Sequence, residues 1–236
     1  VLIIENMSVT RGKGEQGFTV SLPYLHLNDG EVVAIQGSSG CGKSTLLEMI
    51  GLILKPEQLS HFQLGIQTAL VDIQPLIQQQ DQRALAQIRA QKLGFMLQHG
   101  GLLPFLNVAQ NIALPNALLH AEVDQQWIDF LGEQLNIQHL LTKYPKQLSI
   151  GERQRVAFIR SVAHKPLLLL ADEPTSALDP YHADILFELI LKLVAQQHIS
   201  VLLVTHDWAL TQRKQLRTLQ ANLVSPQQAI FSELRA

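Results

Sequence analysis

Val32-Val33-Ala34-Ile35, running directly into Gln36-Gly37-Ser38-Ser39-Gly40-Cys41-Gly42-Lys43-Ser44-Thr45, is the stretch whose reading decides the fold. The apolar run has the composition of a strand buried on both faces. Gly37 to Ser44 fits the spacing G-x-x-x-x-G-K-S/T, and Ser44–Leu52 reads as a helix. Strand, glycine loop and helix in that order form the context of a phosphate-binding loop. A phosphate chain carries dense negative charge and needs several donors at short range. Glycines let the backbone curl until successive N–H groups converge, and the helix adds the positive end of its dipole. Lys43 is then expected to reach the outer phosphates and Ser44 to hold Mg²⁺. A glycine turn with a chance lysine is the plain alternative, and the flanking strand and helix argue against it.

Upstream of the loop, short alternating stretches such as Phe18-Thr19-Val20-Ser21-Leu22 predict antiparallel strands, closed by a turn at Asn28-Asp29-Gly30. Downstream the signal weakens from Pro56 to Gln91, where Gln78-Gln79-Gln80-Asp81-Gln82 reads as a solvated helix start. Leu93–Leu97 is a short strand ending at Gln98. From Asn107 to Tyr144 apolar residues recur at helical spacing, with Pro104, Pro115 and Pro145 expected as breaks. Alternation of strand and helix then resumes. Leu167–Ala171 and Ser200–Val204 are strands, and Asp179-Pro180 caps a helix whose apolar face holds Ile185, Leu186, Leu189, Ile190 and Leu193. The expected fold class is α/β, with a mostly parallel core sheet, an N-terminal antiparallel β subdomain and a helical subdomain. No linker or repeat divides the 236 residues, so one domain is expected.

Three further elements carry chemistry. Leu167-Leu168-Leu169-Leu170-Ala171-Asp172-Glu173 buries a strand and delivers two carboxylates at its C-terminal edge, where ligands of such sheets bind. Asp172 is expected to meet the Mg²⁺ and Glu173 to polarise the attacking water. Thr205-His206-Asp207 follows another apolar strand, which places His206 where it could touch a terminal phosphate. Leu148-Ser149-Ile150-Gly151-Glu152 opens a helical run; Ser149 with Glu152 makes a capping box, and a helix start with a serine hydroxyl is also an anion site. With the phosphate loop already occupied, this second anion site serves another nucleotide.

Composition narrows the classes further. The chain is 47% hydrophobic, enough for a full core, and only 16% charged, a hint that partners cover some surface. A net charge of −2 gives no basic field for nucleic acid. Cys41 is the single cysteine, which excludes an internal disulfide and fits a reducing compartment. No apolar run approaches the roughly 18 residues of a membrane span, no basic-then-apolar leader opens the sequence, and the expected compartment is the cytoplasm.

Taken in order, these elements resemble the nucleotide-binding domain of ABC transporters over nearly the whole chain. Gly37–Thr45 looks like its Walker A loop, Gln98 its Q-loop glutamine, and Leu148–Glu152 with Arg153-Gln154-Arg155-Val156-Ala157 its signature motif. Leu167–Glu173 resembles Walker B with the catalytic glutamate, Ser176-Ala177-Leu178-Asp179 the D-loop and His206 the H-loop. The resemblance implies an ATPase with a RecA-like core and antiparallel subdomain over 1–98 and 150–236, and a helical signature subdomain over 99–149. It implies Mg²⁺ bound by Ser44, Gln98 and Asp172, and two ATPs sandwiched in a head-to-tail dimer. Each ATP would then meet Ser149, Gly151, Glu152 and Asp179 of the opposite copy. Separate transmembrane permease subunits would carry the transport path, placing the chain at the cytoplasmic face of the inner membrane, with Gln98 and Leu102–Leu106 at the docking surface. Ile88-Arg89, Leu93–Gln98, Leu102-Leu103-Pro104 and Asn111–Pro115 look like the lipoprotein-releasing and macrolide-exporting branch. Pro174–Asp179 is written more as in importers, and Glu152 as in a soluble iron–sulfur assembly ATPase.

Four residues depart from the family pattern or stand out within it. Ile150 replaces a glycine of the signature, and bulk with a strained backbone is expected there. Glu152 replaces its glutamine and adds negative charge near the docking phosphate, so a working but slowed site is expected. Arg11 stands where the family stacks an aromatic on adenine, and its guanidinium plane could take that part, with Phe18 the nearest aromatic on the C-terminal side. Cys41, ahead of a helix N-terminus, occupies a position that favours the thiolate, an unreactive small spacer being the plain alternative.

Overall fold

The computed structural model describes residues 1–14, 17–66, 69–98 and 100–233. Ten strands form one sheet. The N-terminal hairpin is β1 (Leu2–Arg11) with β2 (Phe18–Leu27), flanked by β4 (His61–Ile66) and β5 (Ala69–Asp72), all antiparallel. The other half holds β3 (Val32–Gln36), β6 (Leu93–Met96), β7 (Leu168–Asp172), β8 (Ser200–Val204), β9 (Arg217–Ser225) and β10 (Gln228–Glu233). The spatial order is β5-β4-β1-β2-β10-β9-β3-β8-β7-β6. From β9 to β6 every neighbouring pair is parallel. A short parallel ladder, Gln228–Ile230 against Thr19–Ser21, joins the two halves. The antiparallel strands and parallel core expected from the sequence are therefore parts of one sheet.

Strands β3, β7 and β8 are buried along their whole length because helices cover both faces. Alternate side chains feed two separate cores. Leu168, Leu170, Leu202 and Val204 join the cluster beneath α1 (Lys43–Ile50), which contains Leu46, Leu47 and Ile50. Leu169, Ala171, Val201 and Leu203 join the cluster of α4 (Val108–Leu118), α5 (Gln125–Gln134), α6 (Ile150–Val162) and α7 (Pro180–Gln197). The second core runs without a gap from the helices after β6 through α6 and α7 onto the sheet. Asp179 caps α7, with Pro180 in its first turn.

Several local expectations change. Pro115 lies inside α4 and does not end it. Proline there removes a backbone donor, normally costing about 3 kcal/mol. The helix persists because Val108, Asn111 and Ile112 are buried where α4 packs on α6, and because Asn107 and Gln110 close a full capping box. The weak region between Pro56 and Gln91 contains β4, β5, α2 (Gln74–Gln78) and α3 (Gln82–Lys92). Its glutamine patch does start a helix, since Asp81 caps α3 by accepting from Ala84 N at 3.0 Å. Ile150 is the first residue of α6 and does not have a positive φ, so the backbone strain expected there does not arise. Among the described residues, no helix is long and apolar enough to cross a membrane.

Candidate active site

Four neighbouring parallel strands each end at one corner of the site. The phosphate loop leaves β3, His206 follows β8, Asp172 ends β7 with Glu173 next, and Gln98 follows β6. The loop's tight curl depends on Gly42, whose φ is +95 and whose added Cβ would lie 2.3 Å from Val20 Cγ2. Gly42 caps α1 without a side chain, so the first N–H groups of the helix remain available to an anion. Lys43 is buried, its Nζ donating to the carbonyls of Gly37 and Ser38, each at 2.9 Å. Ser38, Ser39 and Gly40 form the exposed rim. A cavity of about 510 Å³ opens beside that rim, walled by His206, Trp208 and Gln220.

Ser44 Oγ donates to Asp172 Oδ2 at 2.7 Å, bringing two hard oxygen ligands together beneath the loop. That pair suits Mg²⁺, which takes one or two protein oxygens and completes its shell from phosphate and water. Glu173 sits in the left-handed region, with φ +51, and its N–H bonds Val204 O at 3.0 Å. Both carboxylate oxygens are engaged: Oε1 lies 3.0 Å from His206 Nε2, and Oε2 accepts from Gln98 Nε2 at 3.1 Å. The chain thus brings Lys43, Ser44, Gln98, Asp172, Glu173 and His206 to one place.

The residues expected from an opposite copy lie apart from this cluster. Ser149 caps α6, its Oγ accepting from Glu152 N at 3.2 Å, while Glu152 Oε2 accepts from Ser149 N at 2.7 Å. That Ser149 N–H holds the Glu152 carboxyl below the usual range, so its charge is partly absorbed at the helix start. Gly151 packs on the turn before α7, where an added Cβ would meet Leu178 Cδ2 at 3.2 Å. Asp179 is exposed, accepts from the N–H groups of Tyr181 and His182, and lies 2.6 Å from His182 Nδ1; the His182 contact holds its carboxyl low. Among the described residues, no hydrogen bond or ion pair joins Ser149, Gly151, Glu152 or Asp179 to the phosphate loop. Arg11 ends β1 opposite Phe18 and pairs with Glu48 of α1 at 3.0 Å, so its guanidinium is tied beside the helix that follows the loop.

Two features escaped the sequence reading. Cys41 is 2% exposed, its Sγ packed where a Cβ on Gly37 would meet it at 2.6 Å, so the thiol faces the core and not the ligand. Its place in the core cluster shields the thiol from solvent and reagents. Gln154 of α6 is also buried; its Nε2 donates to Glu173 O at 3.2 Å and its Oε1 accepts from Ala177 N at 3.2 Å. A glutamine in an amphipathic helix gives no sign of such a task.

A phosphate loop under a parallel sheet, with a strand-end aspartate and glutamate beside it, defines the class of nucleotide-hydrolysing cassettes. The comparisons with known proteins narrow the class. The sequence profile described as "ABC transporter" matches residues 23–176. The lipoprotein-releasing system ATP-binding protein LolD of Buchnera aphidicola subsp. Schizaphis graminum is 34% identical over 212 residues, covering 87% of this chain and 88% of that protein. LolD of Shewanella frigidimarina is 40% identical over 185 residues, covering 78% and 74%. The dimeric ATP-binding cassette MJ0796, solved with ADP and Pi, superposes with a TM-score of 0.83 at 28% identity, covering all of both chains. The chain belongs to the ABC transporter family, as an ATP-binding and ATP-hydrolysing cassette.

Proposed function

We propose that this cassette powers the release of lipoproteins or similar cargo from a membrane, through permease subunits docked on its cytoplasmic side. The observation that carries the catalytic part is the meeting of Ser44, Asp172, Glu173, Gln98 and His206 at the ends of four adjacent strands. The phosphate loop from Gly37 to Thr45, with Lys43, cradles the triphosphate. Ser44 and Asp172, with Gln98, would hold Mg²⁺, which would supply charge neutralisation on the phosphates. Glu173 takes the proton of the attacking water, and His206 contacts the terminal phosphate. Glu173 is tied to His206 and Gln98, and one of those ties must give way for water and phosphate to reach its carboxylate.

Completing the site is the task of a second copy. Ser149, Gly151 and Glu152 at the start of α6, with Asp179, are exposed or half-buried and unattached to their own phosphate loop, which suits a head-to-tail dimer. MJ0796 is itself described as dimeric. We take 99–149 as the helical part that turns against the core of 1–98 and 150–236. Leu97, Phe105 and Leu118 expose apolar surface on the segments after β6, a fitting face for a permease. The lipoprotein branch rests on the likeness to LolD. Arg11 flanks the nucleotide from β1.

The test has two arms. The purified chain should release phosphate from ATP only when Mg²⁺ is present. The chain recovered from detergent-solubilised membranes should bring a multi-span protein with it. Capture of a soluble iron–sulfur scaffold in place of that protein would refute the membrane assignment.

A further inference from the structure

The segment leaving Gln98 is held by a residue that none of the site motifs includes. Gly100 and Gly101 both adopt left-handed backbone, with φ +73 and +58, and Gly100 N bonds Leu97 O at 2.9 Å. Two successive glycines have the most backbone freedom to lose, so a turn of this kind stays put only if something fastens it. Arg160 of α6 does so. Its Nη1 donates to Gly101 O and its Nη2 to Gly100 O, both at 2.9 Å. The guanidinium is half-buried, and burial pulls its pKa down, although arginine remains a cation at any ordinary pH. Among the described residues no carboxylate lies within ion-pair distance of it. A half-buried cation answered only by carbonyls still loses part of its hydration without an opposite charge in return. An apolar side chain would serve α6 better if packing were the only demand.

The same helix holds the other partner of Gln98. Gln154 bonds the backbone of Glu173 and of Ala177, while Gln98 Nε2 reaches Glu173 Oε2 at 3.1 Å. The contacts close a ring from α6 through Gln154 to Glu173, across to Gln98, and back through the glycine turn and Arg160. A shift of α6 therefore carries both ends of the Gln98–Glu173 hydrogen bond with it.

We propose that Arg160 is a positioning residue that locks the Gln98 segment to α6, so that the placement of Gln98 against Glu173 is set by that helix. The proposal rests on the reading of Glu173 as the base of ATP hydrolysis. The fork geometry matters, because the guanidinium presents two donors from separate nitrogens in one rigid plane, whereas an ammonium donates from a single flexible point.

The experiment is a double-mutant cycle on the full chain, using Arg160→Met, Gln98→Ala and both together. Arg160→Met should lower kcat about tenfold, since a small misplacement of reacting groups has effects of that order. KM for ATP should stay within about twofold, because the phosphate loop is untouched. In the Gln98→Ala background the same change should leave kcat where it is. Losses that multiply, or that merely follow the melting temperature, would overturn the proposal. Arg160→Lys should fall between wild type and Arg160→Met, and it supplies the same cycle if the methionine variant does not fold. The side-chain amide resonance of Gln98, identified by its loss in Gln98→Ala, should also move in either Arg160 variant; an unmoved signal overturns the proposal. A wild-type chain without turnover would refute the proposed function instead, and the amide signal alone would then decide this inference.

Discussion

Replacing Glu173 by glutamine separates chemistry from folding, because the structure predicts very different sizes for the two effects. Glutamine has the same length and can keep the left-handed backbone at φ +51. Its amide oxygen can still accept from Gln98, and its NH₂ can donate to the imidazole of His206. Each hydrogen bond changes from charge-assisted to neutral, a loss of about 1 kcal/mol at most. His206 is 48% exposed and Glu173 18%, so solvent screening trims the His206 part further. Stability should fall by less than about 2 kcal/mol in all, a shift below roughly 4–8 °C in melting temperature for a chain of this size. Loss of a general base, by contrast, slows turnover by roughly 10²–10⁴-fold, or about 3–5 kcal/mol of activation free energy. The assay is steady-state phosphate release beside a thermal melt of the same preparation. Nucleotide binding can be followed through Trp208, which walls the cavity beside the phosphate loop, since Trp127 is buried. Turnover within a fewfold of wild type would refute the assignment of Glu173. So would a melting shift large enough to unfold the protein at the assay temperature, since the loss would then be structural.

Other outcomes follow from particular contacts. Ile150→Gly with Glu152→Gln should raise turnover about threefold, since it removes exposed bulk and the part of the Glu152 charge that the helix start does not absorb, while glutamine keeps the capping box; unchanged or lower turnover sinks the idea of a slowed site. His164 is held below its ordinary pKa by burial, with Nε2 donating to Leu93 O at 3.0 Å and Nδ1 without a partner among the described residues. The unfolded chain takes up that proton first, so the stability tied to neutral His164 is full above about pH 6.5 and is lost as pH falls below it. His164→Gln should therefore lose less melting temperature than wild type between about pH 7.5 and 5.5. Cys41 should react with a thiol reagent only after denaturant opens the core, and rapid labelling of the folded chain would contradict its burial.

Legibility in the sequence followed how each residue's constraint is written. The phosphate loop, the two carboxylates after β7 and the capping box at Ser149 are local: their chemistry needs fixed residue types at fixed spacing. Strands β7 and β8 were legible because burial on both faces demands an unbroken apolar run. β4 and β5 were not, because half-exposed edge strands such as Ala69–Asp72 carry a mixed pattern, and the β9–β10 hairpin was likewise missed. Pro115 misled because its local cost is overridden by tertiary packing, and Ile150 because the strain expected of it depends on a backbone angle the helix start does not require. The thiol direction of Cys41 depends on Gly37 and Ala221, the latter distant in sequence. Gln154 and Arg160 were invisible for a similar reason, since their partners are backbone atoms of remote turns.

The sheet separates two apolar reservoirs, with β7 supplying alternate side chains to each. The reservoir under α1 supports the phosphate loop, and the other supports α4, α5, α6 and α7. Sequence change in α4 and α5, away from the α6 residues that reach Glu173 and the Gln98 segment, can thus accumulate without touching the reservoir under the phosphate loop. A lineage can re-tool the same engine for a new cargo apparatus by changing α4 and α5, provided the strand that ends in Asp172 stays in register.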